Sequence, residues 1–177
     1  WVGERAIAAG YSGPIARIPH GVWLPELDGD GWRKRLGLSP DDVLFGIFGH
    51  LKPYKRVREA VRAFARVARE HPEARLVLVG EPHPDLPVQP LLDSLGLIGR
   101  APIEEFEGYL SACDVVLNLR YPTVGESSGT MMRAFGLGKP VVVSAVGAFA
   151  EFPDDVCLKA PVDYTEEEYL AEYMELL

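Results

Sequence analysis

Apolar and polar residues alternate along the chain in blocks that have the lengths of strands and helices. Short, mainly apolar runs at 43–48, 75–79 and 141–143 are typical of strands that are covered on both faces. Residues 55–70 place apolar side chains at helical spacing, which predicts an amphipathic helix. Further predicted strands are 15–18, 95–98 and 115–119, and further predicted helices are 32–36, 88–94, 103–112, a helix beginning at Ser127 or Ser128, and 166–177.

The order of these elements predicts the fold class. Strand, helix and strand repeat four or five times, which favours an α/β fold with a doubly wound parallel sheet, Rossmann-like, in three layers. A chain of 177 residues can bury one core of ordinary size. We therefore predict a lead-in segment and interdomain linker over residues 1–42 and one domain over residues 43–177.

Residues 121–144 contain the strongest chemical signal. A polar loop leads to two serines, which favour a helix start, and Gly125 and Gly129 allow the backbone to approach a ligand closely. Gly138 followed by Pro140 ends the helix before the next apolar strand. A helix that begins beyond the end of a strand in such a sheet presents free amides and a positive dipole, so we predict an anion site there.

A second polar segment follows the first strand. Gly49 ends that strand, and the loop delivers Lys55 to the start of the next helix. The first and fourth strands of a doubly wound sheet are neighbours, so Lys55 and the helix start at Ser127 can converge on one diphosphate. Another interpretation stays open, in which Lys55 and Arg56 are solvated residues of a first helical turn. For the basic stripe along the same helix we favour a solvated face, and its members are Arg58, Arg62, Arg66 and Arg69.

Charge and composition exclude several functions. The net charge is −8, but residues 1–150 have 17 acidic and 17 basic side chains, whereas residues 151–177 have nine acidic residues and Lys159. A neutral body with an acidic tail argues against a nucleic-acid surface. No apolar run in this sequence reaches the roughly 18 residues of a membrane span, and its first residues do not have the basic-then-apolar pattern of a leader. The chain begins at Trp1, so we expect a piece of a longer protein, cytoplasmic by default.

Cysteine and histidine patterns give no metal or redox signature. Cys113 and Cys157 have no paired spacing, and we expect buried, reduced thiols. The four histidines lack the spacing of metal ligands, so we predict no bound metal.

Several ordered motifs resemble one enzyme family. They are Ile18-Pro-His-Gly-Val22, the segment from Gly49 to Lys55, Leu76-Val-Leu-Val-Gly80, Gly99-Arg-Ala-Pro-Ile-Glu-Glu-Phe106, Cys113-Asp-Val115, the stretch from Glu126 to Pro140, and Gly147-Ala-Phe-Ala-Glu151. As an ordered set they resemble the C-terminal donor-binding domain of glycosyltransferase family 4, whose members have the two-domain GT-B fold. The resemblance runs nearly from end to end.

The resemblance implies a function for the chain. It implies metal-independent transfer of a hexose from a nucleotide diphosphate sugar to an acceptor, with retention at the anomeric carbon and without a cofactor. Lys55 would hold the diphosphate, and Glu126 with the amides of 127–129 would hold the sugar and its phosphate. The loop at Arg100 and Ala101 would lie against the base. The residues predicted to bind the donor are Gly49, His50, Arg56, Arg100, Ala101, Ser127, Ser128, Gly129 and Arg133, with Lys55 and Glu126 as catalytic residues.

The same resemblance implies partners outside this chain. A missing N-terminal domain would bind the acceptor, and this chain alone would be inactive. The full enzyme could associate peripherally with a membrane. The sequence also departs from the family pattern. His50 stands where the family has Arg, which leaves Lys52 or Arg56 to supply that charge. Arg133 stands where the family has its second glutamate, so ribose recognition must differ.

Three other functions are alternatives to sugar transfer. Gly125-Glu-Ser-Ser-Gly129 fits the nucleophile elbow of serine hydrolases with Ser127 at its centre, but every His precedes Ser127, which is the wrong order. A phosphoryl-accepting domain like a response regulator needs acidic residues after the first strands, and Gly49-His50 and Gly80-Glu81 lack that cluster. A sugar-nucleotide epimerase of the same architecture would also bind a nucleotide diphosphate, so it stays as the alternative.

Overall fold

The structure is a computed structural model that describes residues 2–16, 18, 20–22, 26–81, 83–86, 89, 90, 92, 100, 101 and 105–176. The predicted strand at 95–98 lies outside the described residues, and so does most of the predicted helix at 88–94. The described strands are β1 (Val43–Phe48), β2 (Ala74–Val79), β3 (Arg100–Ala101), β4 (Val115–Asn118), β5 (Val141–Ser144) and β6 (Leu158–Ala160). The described α-helices are α1 (Val2–Ala8), α2 (Gly29–Arg35), α3 (Val57–Glu70), α4 (Phe106–Ala112), α5 (Gly129–Gly136) and α6 (Glu166–Leu176), with 3₁₀ turns at Pro53–Lys55 and Gly147–Glu151.

The six described strands form one parallel sheet in the order β3-β2-β1-β4-β5-β6. The chain leaves β1 toward one edge and returns to β4 on the other side of β1, so the winding reverses between these two strands. This confirms the predicted doubly wound fold. Ligands of such sheets bind beyond the carboxyl ends of the strands at the point of reversal.

The sheet separates two apolar layers because successive side chains of a strand point to opposite faces. In β1, Phe45 and Ile47 pack with α3 and α6, whereas Leu44 and Phe48 pack on the other face with α4 and α5. The strands β2, β4 and β5 divide their side chains in the same way. The result is the predicted arrangement of three layers.

Two predicted elements differ from the structure. Residues 15, 16 and 18 are not in a strand. The side chain of Ile18 is 87% exposed, so this run buries no sheet face. The helix predicted from residue 55 begins instead at Val57, because Arg56 has a left-handed backbone with φ of 54° and separates the 3₁₀ turn from α3.

The helix α2 lies within the segment that the sequence predicts to be a linker, and it packs on the domain. Asp28 caps it by accepting a hydrogen bond from the amide of Gly31 at 2.8 Å. The ring of Trp32 lies where a side chain at Gly108 of α4 would stand, so only glycine fits there. Arg33 donates to Asp114 Oδ2 at 2.7 Å. The boundary at residue 42 stays a prediction, although residues 29–42 are in contact with the sheet domain.

Candidate functional site

The predicted helix start is confirmed at Ser128. Its Oγ accepts a hydrogen bond from the amide of Met131 at 3.3 Å and donates one to Asn118 Oδ1 at 2.8 Å. Asn118 is the last residue of β4, so this serine joins the start of α5 to the end of its preceding strand. Ser128 is buried, Gly129 is half-buried and Ser127 is exposed. The first amides of α5 have no partner within the helix and point toward the carboxyl edge of the sheet.

A cavity of about 310 Å³ opens at this helix start. One wall is the loop 125–128, the floor includes Met131 and Met132, and the opposite wall is formed by residues 148, 149 and 151–153. His20 also lines the cavity, although the sequence indicated no ligand role for it. The combination of an apolar floor with a few polar groups at the rim is typical of a small-molecule site.

Glu126 is bound by its own loop. Its Oε2 accepts hydrogen bonds from Thr123 Oγ1 at 2.7 Å and from the amide of Val124 at 3.0 Å. Burial alone would raise the pKa of Glu126, but these hydrogen bonds and the charge of Arg120 outweigh it and lower the pKa. The carboxylate at the cavity rim is therefore ionised, and its second oxygen, Oε1, lies 3.6 Å from Arg120 Nε.

Lys55 lies at the end of β1 and is buried. Its Nζ donates to the carbonyl of Phe48 at 2.6 Å. Gly49 has a φ of 88° and covers this ammonium so closely that an added Cβ would stand 2.7 Å from Nζ. Burial, and to a smaller extent the positive charges of Arg120 and Lys52, together lower the pKa of Lys55 from 10.5 to about 7. A buried cation with cations around it is an arrangement that a bound anion would relieve.

Arg120 is the residue at this edge that the sequence analysis missed. It follows β4 by two positions, its guanidinium lies over the ring of Tyr54 at 5.3 Å, and it is 7% exposed. Burial lowers its pKa, against the influence of Tyr54 and Glu126. No local motif marks it, because its closeness to Lys55 arises only when β1 and β4 become neighbours.

Two of the predicted donor-binding residues lie outside the cavity at the start of α5. Arg56 donates through Nε to Glu166 Oε2 at 2.9 Å and pairs with Glu59 at 3.1 Å, so its charge is directed toward α6. His50 is exposed at the turn after β1. Neither residue lines the cavity at the start of α5. Their roles in donor binding stay predictions, and the ion pairs of Arg56 argue against its role.

Three other predicted residues lie along the same edge of the sheet. Arg100 and Ala101 form β3 and pair with Leu78 and Val79, so the backbone of this loop reaches the carboxyl edge. Arg133 is in the last turn of α5, where its guanidinium extends back toward Gly129 and lies 5.9 Å from the ring of Phe106. Their contact with a donor stays a prediction.

The structure also bears on metals, membranes and the hydrolase alternative. Among the described residues no group of three or more His, Cys, Asp or Glu could hold a metal ion, and metal independence stays a prediction. Within the same residues no helix combines the length and apolar character that a membrane crossing requires.

Ser127 follows the end of β4 by nine residues, whereas a nucleophile elbow needs the serine on the turn directly after the strand.

Comparison with known proteins gives a consistent result. A family model described as "Glycosyl transferases group 1" matches residues 42–177. A D-inositol 3-phosphate glycosyltransferase of Stackebrandtia nassauensis is 32% identical over 131 residues, which cover 65% of this chain and 29% of that protein. The chain therefore spans less than a third of that relative's length.

Solved structures share the fold. The C-terminal domain of a glycosyl transferase group 1 family protein, LpcC of Francisella tularensis, superposes with a TM-score of 0.69 at 20% identity, covering 88% of this chain and 85% of that one. HepE of Anabaena, in a crystal structure with UDP-glucose, superposes with a TM-score of 0.69 at 21% identity, covering 84% of this chain and 42% of that one.

Proposed function

The chain belongs to the glycosyl transferases group 1 family, and we propose that it binds the nucleotide diphosphate sugar donor of such an enzyme. The observation that supports this most is that Lys55 and the start of α5 follow two neighbouring strands. The buried ammonium contacts the last residue of β1 and the helix start follows β4, and these strands are adjacent where the winding of the sheet reverses. Both groups favour negative charge, and a diphosphate is the anion that reaches both.

In this proposal each group has a distinct task. Lys55 contacts the diphosphate, and the amides of 127–129 contact the phosphate next to the sugar. Glu126, ionised at the cavity rim, accepts hydrogen bonds from sugar hydroxyls. The backbone at β3 lies against the base, and Arg133 lies between the base and the start of α5. Because HepE was crystallised with UDP-glucose, UDP-hexoses are the first donors to test.

The chemistry in this proposal is departure of the nucleoside diphosphate, with hexose transfer and retention at the anomeric carbon. A helix terminus stabilises an anion by about 1–2 kcal/mol. A charged hydrogen bond contributes about 1.5–3 kcal/mol. Even a modest enzymatic acceleration corresponds to about 8 kcal/mol. Orientation of donor and acceptor can supply about 7–11 kcal/mol, so transfer depends on an acceptor site.

We place that acceptor site in a partner domain. The chain corresponds to 29% of its D-inositol 3-phosphate glycosyltransferase relative and to 42% of HepE, so both proteins have further residues that could form one. For the full enzyme we include peripheral association with a membrane surface in the proposal. By itself the chain is expected to bind a nucleotide and to transfer no sugar.

Calorimetry tests the donor site. We expect UDP, GDP or ADP to bind the chain, and Lys55→Met to weaken that binding by about tenfold, the loss of one charged hydrogen bond. Lys34→Met is the matched control, because Lys34 is an exposed lysine of α2. Equal affinity of the wild type and Lys55→Met would contradict the assignment of Lys55. If the chain binds none of the three nucleotides, the donor proposal fails.

A further inference from the structure

Arg120 is a buried arginine whose Nε lacks the hydrogen-bond acceptor that burial normally requires. It is 7% exposed, and Nε has no hydrogen-bond partner among the described residues. Its closest carboxylate oxygen, Glu126 Oε1, lies 3.6 Å from Nε, which is beyond a hydrogen bond. The other oxygen of Glu126 is already occupied by Thr123 and Val124. A buried guanidinium is costly unless it is paired and hydrogen-bonded.

The backbone holds Arg120 in place next to Lys55. The amide of Arg120 donates to Ser144 Oγ at 2.9 Å, and the amide of Tyr121 donates to the carbonyl of Tyr54 at 2.7 Å. The guanidinium lies over the ring of Tyr54, the residue directly before Lys55. The two cations are close enough for the charge of Arg120 to lower the pKa of Lys55.

A second buried donor at this edge also lacks a partner. Asn118 is 6% exposed, and its Nδ2 has no hydrogen bond within the described part of the chain. Ser128 Oγ accepts from the amide of Met131, so its hydrogen is directed to Asn118 Oδ1, and the Nδ2 group is left over. Arg120 Nε and Asn118 Nδ2 are therefore two buried donors without acceptors, both at the carboxyl end of β4. Buried polar groups are normally satisfied, so this excess indicates a ligand that brings acceptor oxygens.

We propose that Arg120 is a diphosphate-binding residue, which acts with Lys55 to hold the leaving group of the donor that the proposed function assigns to this site. A guanidinium presents a planar fork of donors that matches phosphate oxygens, which a second lysine would not. The assignment also supplies a cation in a chain that has His50 where the family pattern has Arg. Lys52 and Arg56 are the residues expected from the sequence to supply that charge, but Arg56 is paired with Glu166.

Arg120 could instead serve only to pack against Tyr54, and anion binding separates the two roles. The experiment measures binding of inorganic pyrophosphate and of UDP by calorimetry at pH 7 and low salt, for the wild type, Arg120→Gln and Arg120→Lys. Arg58→Gln is the matched control, because Arg58 is an exposed cation in the first turn of α3. We expect Arg120→Gln to bind both ligands at least about tenfold more weakly, Arg120→Lys to be intermediate, and Arg58→Gln to stay within about twofold.

A second measurement needs no stable variant at position 120. In wild-type protein, the NMR signal of Arg120 Nε–Hε should move when pyrophosphate is added, because the ligand oxygens become partners of that group. The signal is assigned by its loss in Arg120→Lys. If Arg120→Gln does not fold, this shift and the affinity of Arg120→Lys decide the question.

The outcomes separate this inference from the donor proposal. Unchanged pyrophosphate affinity in Arg120→Gln, or binding of pyrophosphate without movement of the Nε–Hε signal, would overturn the role of Arg120 and leave the donor proposal standing. Binding of pyrophosphate that depends on Arg120, without binding of UDP, GDP or ADP, would support the anion site and reject the nucleotide donor. A wild type that binds neither pyrophosphate nor UDP would overturn the inference.

Discussion

Ser128 Oγ lies 2.8 Å from Asn118 Oδ1, and this hydrogen bond joins the first turn of α5 to the last residue of β4. The same hydroxyl accepts from the amide of Met131, so one side chain both caps the helix and fixes its position relative to the sheet. The orientation of the free amides at the helix start therefore depends on a single buried serine.

Ser128→Ala should destabilise the protein and weaken nucleotide binding. Loss of an N-cap costs about 1 kcal/mol, and Asn118 Oδ1 would also lose its buried donor, so we expect a decrease of about 1–3 kcal/mol in the free energy of unfolding. Urea denaturation measures this decrease. Calorimetry with UDP should show a lower affinity, because the amides of α5 would no longer be held in place.

Ser127→Ala is the matched control for that change. Ser127 is the exposed neighbour of the cap and makes none of its hydrogen bonds. We expect a change in unfolding free energy within about 0.5 kcal/mol. A larger effect at Ser127 than at Ser128 would show that the cap has been assigned to the wrong residue. Labelling of Ser127 by a fluorophosphonate probe would revive the hydrolase alternative.

The stability of the protein should rise with pH above neutrality because of Lys55. Its pKa is about 7 in the folded state and 10.5 ordinarily, so between these values the unfolded chain binds more protons. The free energy of unfolding then increases by up to about 1.4 kcal/mol per pH unit. Between pH 7 and pH 9 the wild type should gain about 2 kcal/mol relative to Lys55→Met, as measured by urea denaturation at both pH values.

Comparison with Lys55→Met removes the contributions of other groups that titrate in the same range. Arg120→Gln offers a second check, since removal of its charge should raise the pKa of Lys55 and move the increase in stability to higher pH. Parallel pH profiles for the wild type and Lys55→Met would contradict the lowered pKa.

The sequence was sufficient where a local pattern determines the structure. The apolar run at 43–48 and the periodic segment of α3 have lengths and spacings that favour one element type. The serines at 127 and 128 predict a helix start, and the structure has the cap at Ser128. The adjacency of the first and fourth strands also followed, because a doubly wound sheet reverses its winding between them.

The sequence was insufficient where a residue is defined by distant neighbours. Arg56 adopts a left-handed backbone, which non-glycine residues rarely do, and its partner Glu166 is 110 positions away in the chain. No sequence motif distinguishes Arg120 from the other arginines. Its position against Tyr54 arises only because β4 lies beside β1 in the folded sheet. Such pairs depend on tertiary packing and leave no periodic signal.

Both cysteines should be unreactive in the native protein. Cys113 and Cys157 are free and buried, and burial raises the pKa of each thiol, so little thiolate is available near pH 8. We expect no rapid reaction with Ellman's reagent until urea is added, and then two thiols per chain. Val156→Cys is the control, since Val156 is 43% exposed and a thiol there should react at once. Rapid reaction of a native thiol would contradict the burial.

The ion pair between Arg56 and Glu166 should contribute more to stability than its exposed neighbour on the same pair of helices. Glu166 is 1% exposed and Arg56 is its partner at the start of α3, whereas Arg62 and Glu167 form a largely exposed pair at 3.4 Å. Arg56→Met leaves a buried carboxylate unpaired and should cost about 3–5 kcal/mol, while Arg62→Met should cost less than about 1 kcal/mol.

The double variant Arg56→Met/Glu166→Leu distinguishes a net contribution of the pair from the cost of an unpaired charge. Because replacing both members of a buried pair by apolar residues is often neutral, we expect it to recover most of the lost stability. The same proteins test the predicted role of Arg56 in donor binding. If Arg56 serves only to join α3 to α6, the double variant should bind UDP as the wild type does. An affinity about tenfold lower in that stable variant would instead place Arg56 at the diphosphate, and the ion pair would then be a resting position of its side chain.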